Sequence, residues 1–525
     1  MTIDIPKIPE EQKTELVILL LEIIEQQGEI IQELKDVIAR LKGHNPKPKI
    51  TPSRLEPPQG EKPKGDDEKR RPGSEKRHKS AALVIHEERK VPARDVPKGS
   101  IFKGYKDFTV QGLVIRAHNV RYLLECWQTP DGSYVTAELP PELREKHFSP
   151  ELIRFVLYQY HHCHVTQPLL VEQLREFDID ISSGQISNIL VEDKDDFHQE
   201  KDAILTTGLE VSNHVNVDDT GARHQGKNGY CTHIGNELFS WFESTPTKSR
   251  INFLRLLRGG RTDYVINSDA VSYWELHSLP RGVRELLCAD QPRVFADDSE
   301  WDQYLQEKGV QSPRHIQITT EGALIGSIID HGISNNLVIV SDDAGQFNVL
   351  RHALCWIHAE RSINKIIPMS ENAKEDLERV REQLWKLYEE LKGYKANPQL
   401  AEAERLSHRF DEIFTTQTHS ASLNKALKRI YNNKSELLLV LQNPEIPLHN
   451  NLSENAIREY VKKRKISGGT RSEAGRRSRD TFASLKKTCR KLGVSFWDYL
   501  GDRLNKIGFI PNLADLIRCR AVKPG

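Results

Sequence analysis

The stretch Leu337-Val338-Ile339-Val340-Ser341-Asp342-Asp343 decides how this chain is built. Four consecutive apolar residues, three of them β-branched, show no polar alternation, so the segment reads as a strand buried on both faces, central and parallel in its sheet. Upstream, Val215-Asn216-Val217-Asp218 alternates like a half-buried strand. A Gly-containing loop at 226–229 leads to runs at 230–234 and 238–244, joined at Gly235 and Asn236, which together predict an antiparallel meander. A helix near 249–258 comes next.

A meander followed by alternating α and β elements is an α/β order of the ribonuclease H-like kind, in which acids at the ends of two adjacent central strands meet. Asp218 and Asp342 occupy such ends, and Glu454 opens a basic helix further on. Widely spaced carboxylates suit a two-metal phosphoryl-transfer site, because each ion needs hard oxygen ligands that only folding brings together. Both aspartates stand in doublets, so Asp219 and Asp343 are alternatives. Strand alternation sends neighbours to opposite faces, and only one of each pair can face an ion. Asp269, after the strand-like 264–267, is a rival for the second acid.

The 75 basic and 75 acidic residues cancel, so any surface for a polyanion must come from local segregation of charge. Such segregation occurs between 462 and 491, where twelve basic residues face only Glu473 and Asp480. Lys462, Lys463, Arg464, Lys465, Arg471, Arg476, Arg477, Arg479, Lys486 and Lys487 are the expected phosphate contacts. Gly468 and Gly469 are expected to let backbone amides approach a phosphate. Seven cysteines without a Cys-x-x-Cys pair fit a reducing cytoplasm, and the apolar run 16–24 is too short to span a bilayer. His161, His162, Cys163 and His164 lack a second ligand pair at zinc spacing and read as structural or surface residues.

A chain of 525 residues predicts several domains. Val17, Leu20, Ile24, Gln27, Ile31, Leu34, Ile38 and Leu41 alternate three- and four-residue steps, the seam of a coiled coil over 1–43 that pairs protomers. Residues 44–100 are rich in proline and charge, the composition of a disordered linker. Over 101–200, strand-like runs at 109–115, 121–127 and 134–137 precede three helical segments, which read either as a helix-turn-helix-like DNA-binding module offering Gln185, Ser187 and Asn188 or as short helices packed for structural support. The catalytic domain spans 205–475, with insertions near 261–333 and 371–442, and 476–525 forms a basic helical tail.

The runs Val217-Asp218-Asp219-Thr220, Ser341-Asp342-Asp343-Ala344-Gly345-Gln346-Phe347, Cys355-Trp356-Ile357-His358-Ala359-Glu360-Arg361 and Asn450-Asn451-Leu452-Ser453-Glu454-Asn455-Ala456-Ile457-Arg458 resemble bacterial insertion-sequence transposases of the DDE type, most similar to the IS66 family. Arg464 to Gly469 and 493–500 extend the resemblance over roughly 205–510. It implies Asp218, Asp342 and Glu454 as the catalytic and metal-binding triad, with two Mg2+ ions about 4 Å apart, replaceable by Mn2+. It also implies cleavage of element ends and joining of the 3′-hydroxyl to target DNA, a homo-oligomer, and accessory transposition proteins. Cys355 and His358 are expected to be structural, a hydrogen-bonded pair positioning Trp356. A DNA-binding regulator or inactive remnant, and a metal-dependent nuclease without strand transfer, are the alternatives.

Overall fold

A computed structural model describes residues 84–139, 147–288 and 293–522. The heptad segment 1–43, and the charged segment as far as residue 83, lie outside the described residues. Residues 84–116 belong to a unit of their own and carry no helix or strand. The strand expected at 109–115 does not form. Val110, Leu113 and Val114 are exposed, and β propensity needs a pleated, half-buried surface to act on. Of the run 121–127 only its end is strand, β1 (Cys126–Gln128), paired antiparallel with β2 (Tyr134–Thr136) across the turn at Asp131 and Gly132.

Capping chemistry places the next helices, α1 (Pro150–His161), α2 (Gln167–Glu176) and α3 (Ser183–Val191). Ser149 Oγ accepts from Leu152 N, while Ser182 and Gln185 form a reciprocal capping box. Gln185 Oε1 is thereby engaged at the helix start, while the residue itself stays exposed. Val156, Leu157, Leu170, Leu174, Ile186 and Leu190 share one continuous core with the main sheet. These helices therefore brace the sheet. After α4 (Asp195–Glu210) come β3 (His214–His224), β4 (Lys227–Gly235) and β5 (Ser240–Thr245). The loop expected at 226–229 shrinks to a turn at Gln225 and Gly226, both at positive φ, as tight hairpins require.

A first insertion contains α5 (Arg250–Leu257), β6 (Tyr264–Ile266), α6 (Ser268–Leu276), α7 (Arg281–Cys288), β7 (Arg293–Phe295), α8 (Asp298–Glu307) and α9 (Pro313–Asp330), with β6 and β7 forming a separate two-stranded sheet. Then β8 (Val338–Ser341) and β9 (Arg351–Leu354) complete the main sheet. α10 (Trp356–Asn364) leads into the helical insertion α11 (Glu371–Ala396), α12 (Leu400–Phe414), α13 (Ala421–Asn432) and α14 (Lys434–Leu437). The chain ends with α15 (Asn451–Ser467), α16 (Glu473–Lys491), α17 (Phe496–Leu504) and α18 (Leu513–Ala521).

The five-stranded sheet has the order β5-β4-β3-β8-β9; β3, β4 and β5 are antiparallel, and β8 and β9 run parallel to β3. Its central strands are buried on both faces, as their apolar runs require. Val215, Val217 and Ile339 enter the core shared with α4 and α16, whereas Val338 and Val340 enter a second core under α10–α14. Trp356, 1% exposed, anchors that second core and donates from Nε1 to Leu437 O at 2.9 Å.

The outer edge of β5 meets α16 rather than another strand. The backbone N–H groups of Ser240, Phe242 and Ser244 donate to Thr488 Oγ1, Ser484 Oγ and Asp480 Oδ2 at 3.1, 2.9 and 2.8 Å. Alternate residues of a strand thus meet every fourth residue of a helix, two spacings close enough to match over three rungs.

Candidate functional site

The parallel register pairs Val215 with Ile339 and Asn216 with Val340. Continued by two residues, it puts Asp218 opposite Asp342, the first residue past β8. Asn216, Asp218 and Thr220 share the face under α15: Asn216 Nδ2 donates to Asn450 Oδ1 at 2.9 Å, and Arg464 Nη1 donates to Thr220 Oγ1 at 3.3 Å. Glu454 lies in the first turn of α15, on that side of the sheet.

The doublets separate by alternation. Asp219 accepts from Gln346 Nε2 at 2.7 Å, and Asp343 accepts from Arg429 Nε at 2.9 Å. Asp269 starts α6 beside the separate small sheet. Charge draws the same grouping: burial first, then Asp342, Asp219 and Glu454, pushes the Asp218 carboxyl well above the usual carboxylate range, against a hydrogen bond from Asp219 N. Asp218 is a largely buried acid among like charges.

Asn450 joins the start of α15, which carries Glu454, to β3, which carries Asp218. Its Nδ2 donates to Val217 O at 2.7 Å, its Oδ1 accepts from Asn216, and its backbone N–H points at Cys355 Sγ at 3.2 Å. His233, fully buried and held neutral by burial, links β4 to α15 through Ser453 Oγ at 2.7 Å. Glu454 is clasped by Arg361 Nη1 at 3.2 Å and Arg458 Nη2 at 3.3 Å, with His358 Nδ1 at 3.8 Å. The Cys355 and His358 side chains do not bond to each other, although His358 N donates to Cys355 O at 3.1 Å. The thiol, pushed up to about 11 by burial, faces Asn450, while His358 turns toward the acids. A cleft of about 280 Å³ opens beside Asp342, lined also by His358, Ser362, Arg429 and Asn433.

Asp218, Asp342 and Glu454 carry the hard oxygen donors that a divalent cation prefers. Among the described residues no three His, Cys, Asp or Glu side chains are gathered tightly enough to hold a metal ion. Glu454 is turned to its two arginines.

The basic block divides in two. Lys462, Lys465, Arg471 and Arg477 are exposed, and Arg464 and Arg476 are half-buried. Lys463, Arg479 and Lys486 are buried, and Lys487 is paired with Glu459, so none of these four lies on the exposed face of the segment. Lys463 Nζ donates to Tyr160 O, Lys486 Nζ to His161 O and Arg479 Nη1 to Gly468 O. The glycine pair is also structural. Thr470 N donates to Arg223 O and Gln225 N to Thr470 O, and a Cβ on Gly469 would lie 2.4 Å from Arg223 O. Arg361, Arg458, Asn216 and Asn450 escaped the sequence reading. Arg361, Arg458 and Asn450 lie inside motif blocks, but only the fold shows that the two arginines meet Glu454 and that Asn450 meets β3.

None of the cysteines forms a disulfide among the described residues, and no helix there is long and apolar enough to cross a membrane. A protein of Sinorhizobium fredii (strain NBRC 101917 / NGR234) described as "Uncharacterized protein y4jO" is 44% identical over 321 residues, 61% of this chain and 100% of that protein. The family model "Transposase IS66 family" matches residues 328–478, from the end of α9 through β8, the acid-bearing turn, the helical insertion and α15, so it holds both Asp342 and Glu454. With that segment matched by the family model, and a relative 44% identical covered over its whole length, the chain belongs to the IS66 family of transposases.

Proposed function

We propose that this chain is a DDE-type transposase that cleaves the ends of its element and joins the 3′-hydroxyl to target DNA. The observation that carries this is the register that sets Asp218 opposite Asp342, with Glu454 on the helix covering the same face. The strand order, three antiparallel strands followed by two parallel ones, supports a ribonuclease H-like core. Asp218, Asp342 and Glu454 would hold two Mg2+ ions, with Mn2+ as substitute; when bound, these supply an activated water or 3′-hydroxyl and stabilise the leaving oxygen.

The chain's own residues do the rest. Asn450 and His233 hold α15 to the sheet and so fix Glu454 against Asp218. Arg361 and Arg458 neutralise Glu454 until substrate arrives, then lie where a scissile phosphate needs cations. Lys462, Lys465, Arg471 and Arg477 line the outward side of the same C-terminal segment and would track a DNA backbone. The heptads of 1–43 would pair protomers so that two element ends are held together.

Asp218→Asn, Asp342→Asn and Glu454→Gln should each lower Mg2+- or Mn2+-dependent cleavage of end-bearing DNA by at least about a hundredfold, with circular dichroism and end binding unchanged. Full activity in any one removes that residue from the site. Pre-cut ends that never join a target would instead make the protein a nuclease.

A further inference from the structure

On the side of α15 away from Glu454, a cleft of about 30 Å³ lies between α15, α16 and the end of α1. That is room for roughly two water-sized atoms. Its wall carries Lys463, Arg479, Lys486 and Lys487 against one carboxylate, Glu459, which pairs with Lys486 and Lys487. Lys463, Arg479 and Lys486 are only 6, 8 and 7% exposed. The carbonyls of Tyr160 and His161 accept from the two ammonium groups; Lys463 Nζ also lies 3.4 Å from the Tyr160 ring centroid, and among the described residues only Lys486 of the two has a carboxylate partner.

Buried charge is normally paired, yet this wall has an excess of cations. Burial and the charges of Arg479 and Lys486 pull Lys463 down to about 7, and burial with Lys486 and Lys463 pulls His164 down to about 4, so an anion entering here would favour the charged form of Lys463. Three buried nitrogens here have no hydrogen-bond partner among the described residues: Arg479 Nε, His161 Nε2 and His164 Nδ1. His164 holds a left-handed backbone, φ +63°, which is uncommon for a residue with a Cβ and concentrates at functional positions.

We propose that this cleft binds a phosphate-class oxyanion, with one or two of its oxygens entering between Lys463, Arg479 and Lys486. Charge-assisted bonds from lysine and arginine suit such a ligand, and the volume suits oxygens rather than an organic group. The shared chemistry is a phosphate, whether part of a DNA backbone or free in solution. The site is separate from the acids, across α15, and does not depend on their role.

Calorimetric titration of inorganic phosphate into the full chain should show saturable binding. Lys463→Gln and Lys486→Gln should each weaken it by about tenfold or more. In the wild-type protein, where no variant has to fold, phosphate at about twice its Kd should slow acetylation of Lys463 and Lys486 about threefold by mass spectrometry, and leave the exposed Lys425 unaffected. A short DNA duplex then identifies the source: displacement of phosphate marks a backbone phosphate as the occupant, and undisturbed binding marks free phosphate. Absence of saturable binding, or equal protection of Lys425 and Lys463, overturns the proposal.

Discussion

Asn450→Ala tests whether one side chain holds the acid-bearing elements together. Asn450 is 1% exposed, and its amide serves two buried groups, donating to Val217 O and accepting from Asn216 Nδ2. Alanine leaves both without their partner, because Asn216 Nδ2 retains only a contact of 3.5 Å to His449 O. At about 1–3 kcal/mol for each unsatisfied buried group, the variant should lose about 3 kcal/mol in urea unfolding at an unchanged m-value. Asn216→Ala, which leaves Asn450 Oδ1 as the main unpaired group, should lose about half as much. The double variant should fall short of the sum by about 1 kcal/mol, since the two share a bond. Cleavage should fall by more than stability explains, because Glu454 and Asp218 drift apart and an ångström of misplacement can cost about a hundredfold. A loss below about 1 kcal/mol in Asn450→Ala, or strict additivity, would refute the bridging role.

Asp480 accepts from Ser244 N, Ser244 Oγ and Tyr460 Oη, and burial together with Glu243 raises its carboxyl to about 7. The folded chain therefore holds a proton that the unfolded chain releases near pH 4, so this stabilisation is full below that pH and is lost as pH rises toward 7. In that window wild-type stability should fall by up to about 1.4 kcal/mol per pH unit relative to Asp480→Asn, measured by urea unfolding across the range. Gly326→Ala should destabilise by about 2–3 kcal/mol in thermal unfolding, because its Cβ would lie 2.2 Å from Val265 O and 2.9 Å from Asn267 Oδ1, neither free to retreat. Lys465→Gln and Arg477→Gln should each reduce the slope of log K for DNA against log salt by about one unit, with an unchanged slope removing the residue from the DNA surface.

Much of the sheet can be read from residue pattern alone. The unbroken run 337–340 is a buried central strand, and Ser149, Ser182 and Ser249 start their helices as capping residues do. The choice within each acid doublet is different in kind. Alternation says that Asp218 and Asp219 part, but only the pairing of β3 with β8 and the cover of α15 say which of them faces Glu454. The basic block misleads for a related reason. α16 buries Ser478, Asp480, Thr481, Ser484 and Thr488, polar residues that hydropathy assigns to water, so its lysines and arginines look like a solvated face when several are turned inward. The first stretch of chain misleads the other way: Thr109, Val110, Val114 and Ile115 give 109–115 the β-branched content of a strand, but the segment is exposed.

The three rungs from α16 to β5 also set an order of events during synthesis. β5 leaves the ribosome long before α16 does, and until the helix arrives its outer N–H groups form an open strand edge of the kind that recruits other chains. A chain that ends before Asp480 keeps that edge permanently. Such a product should accumulate as aggregate even though all three acids are present in it, which makes the last helices a requirement for solubility before they are a requirement for chemistry.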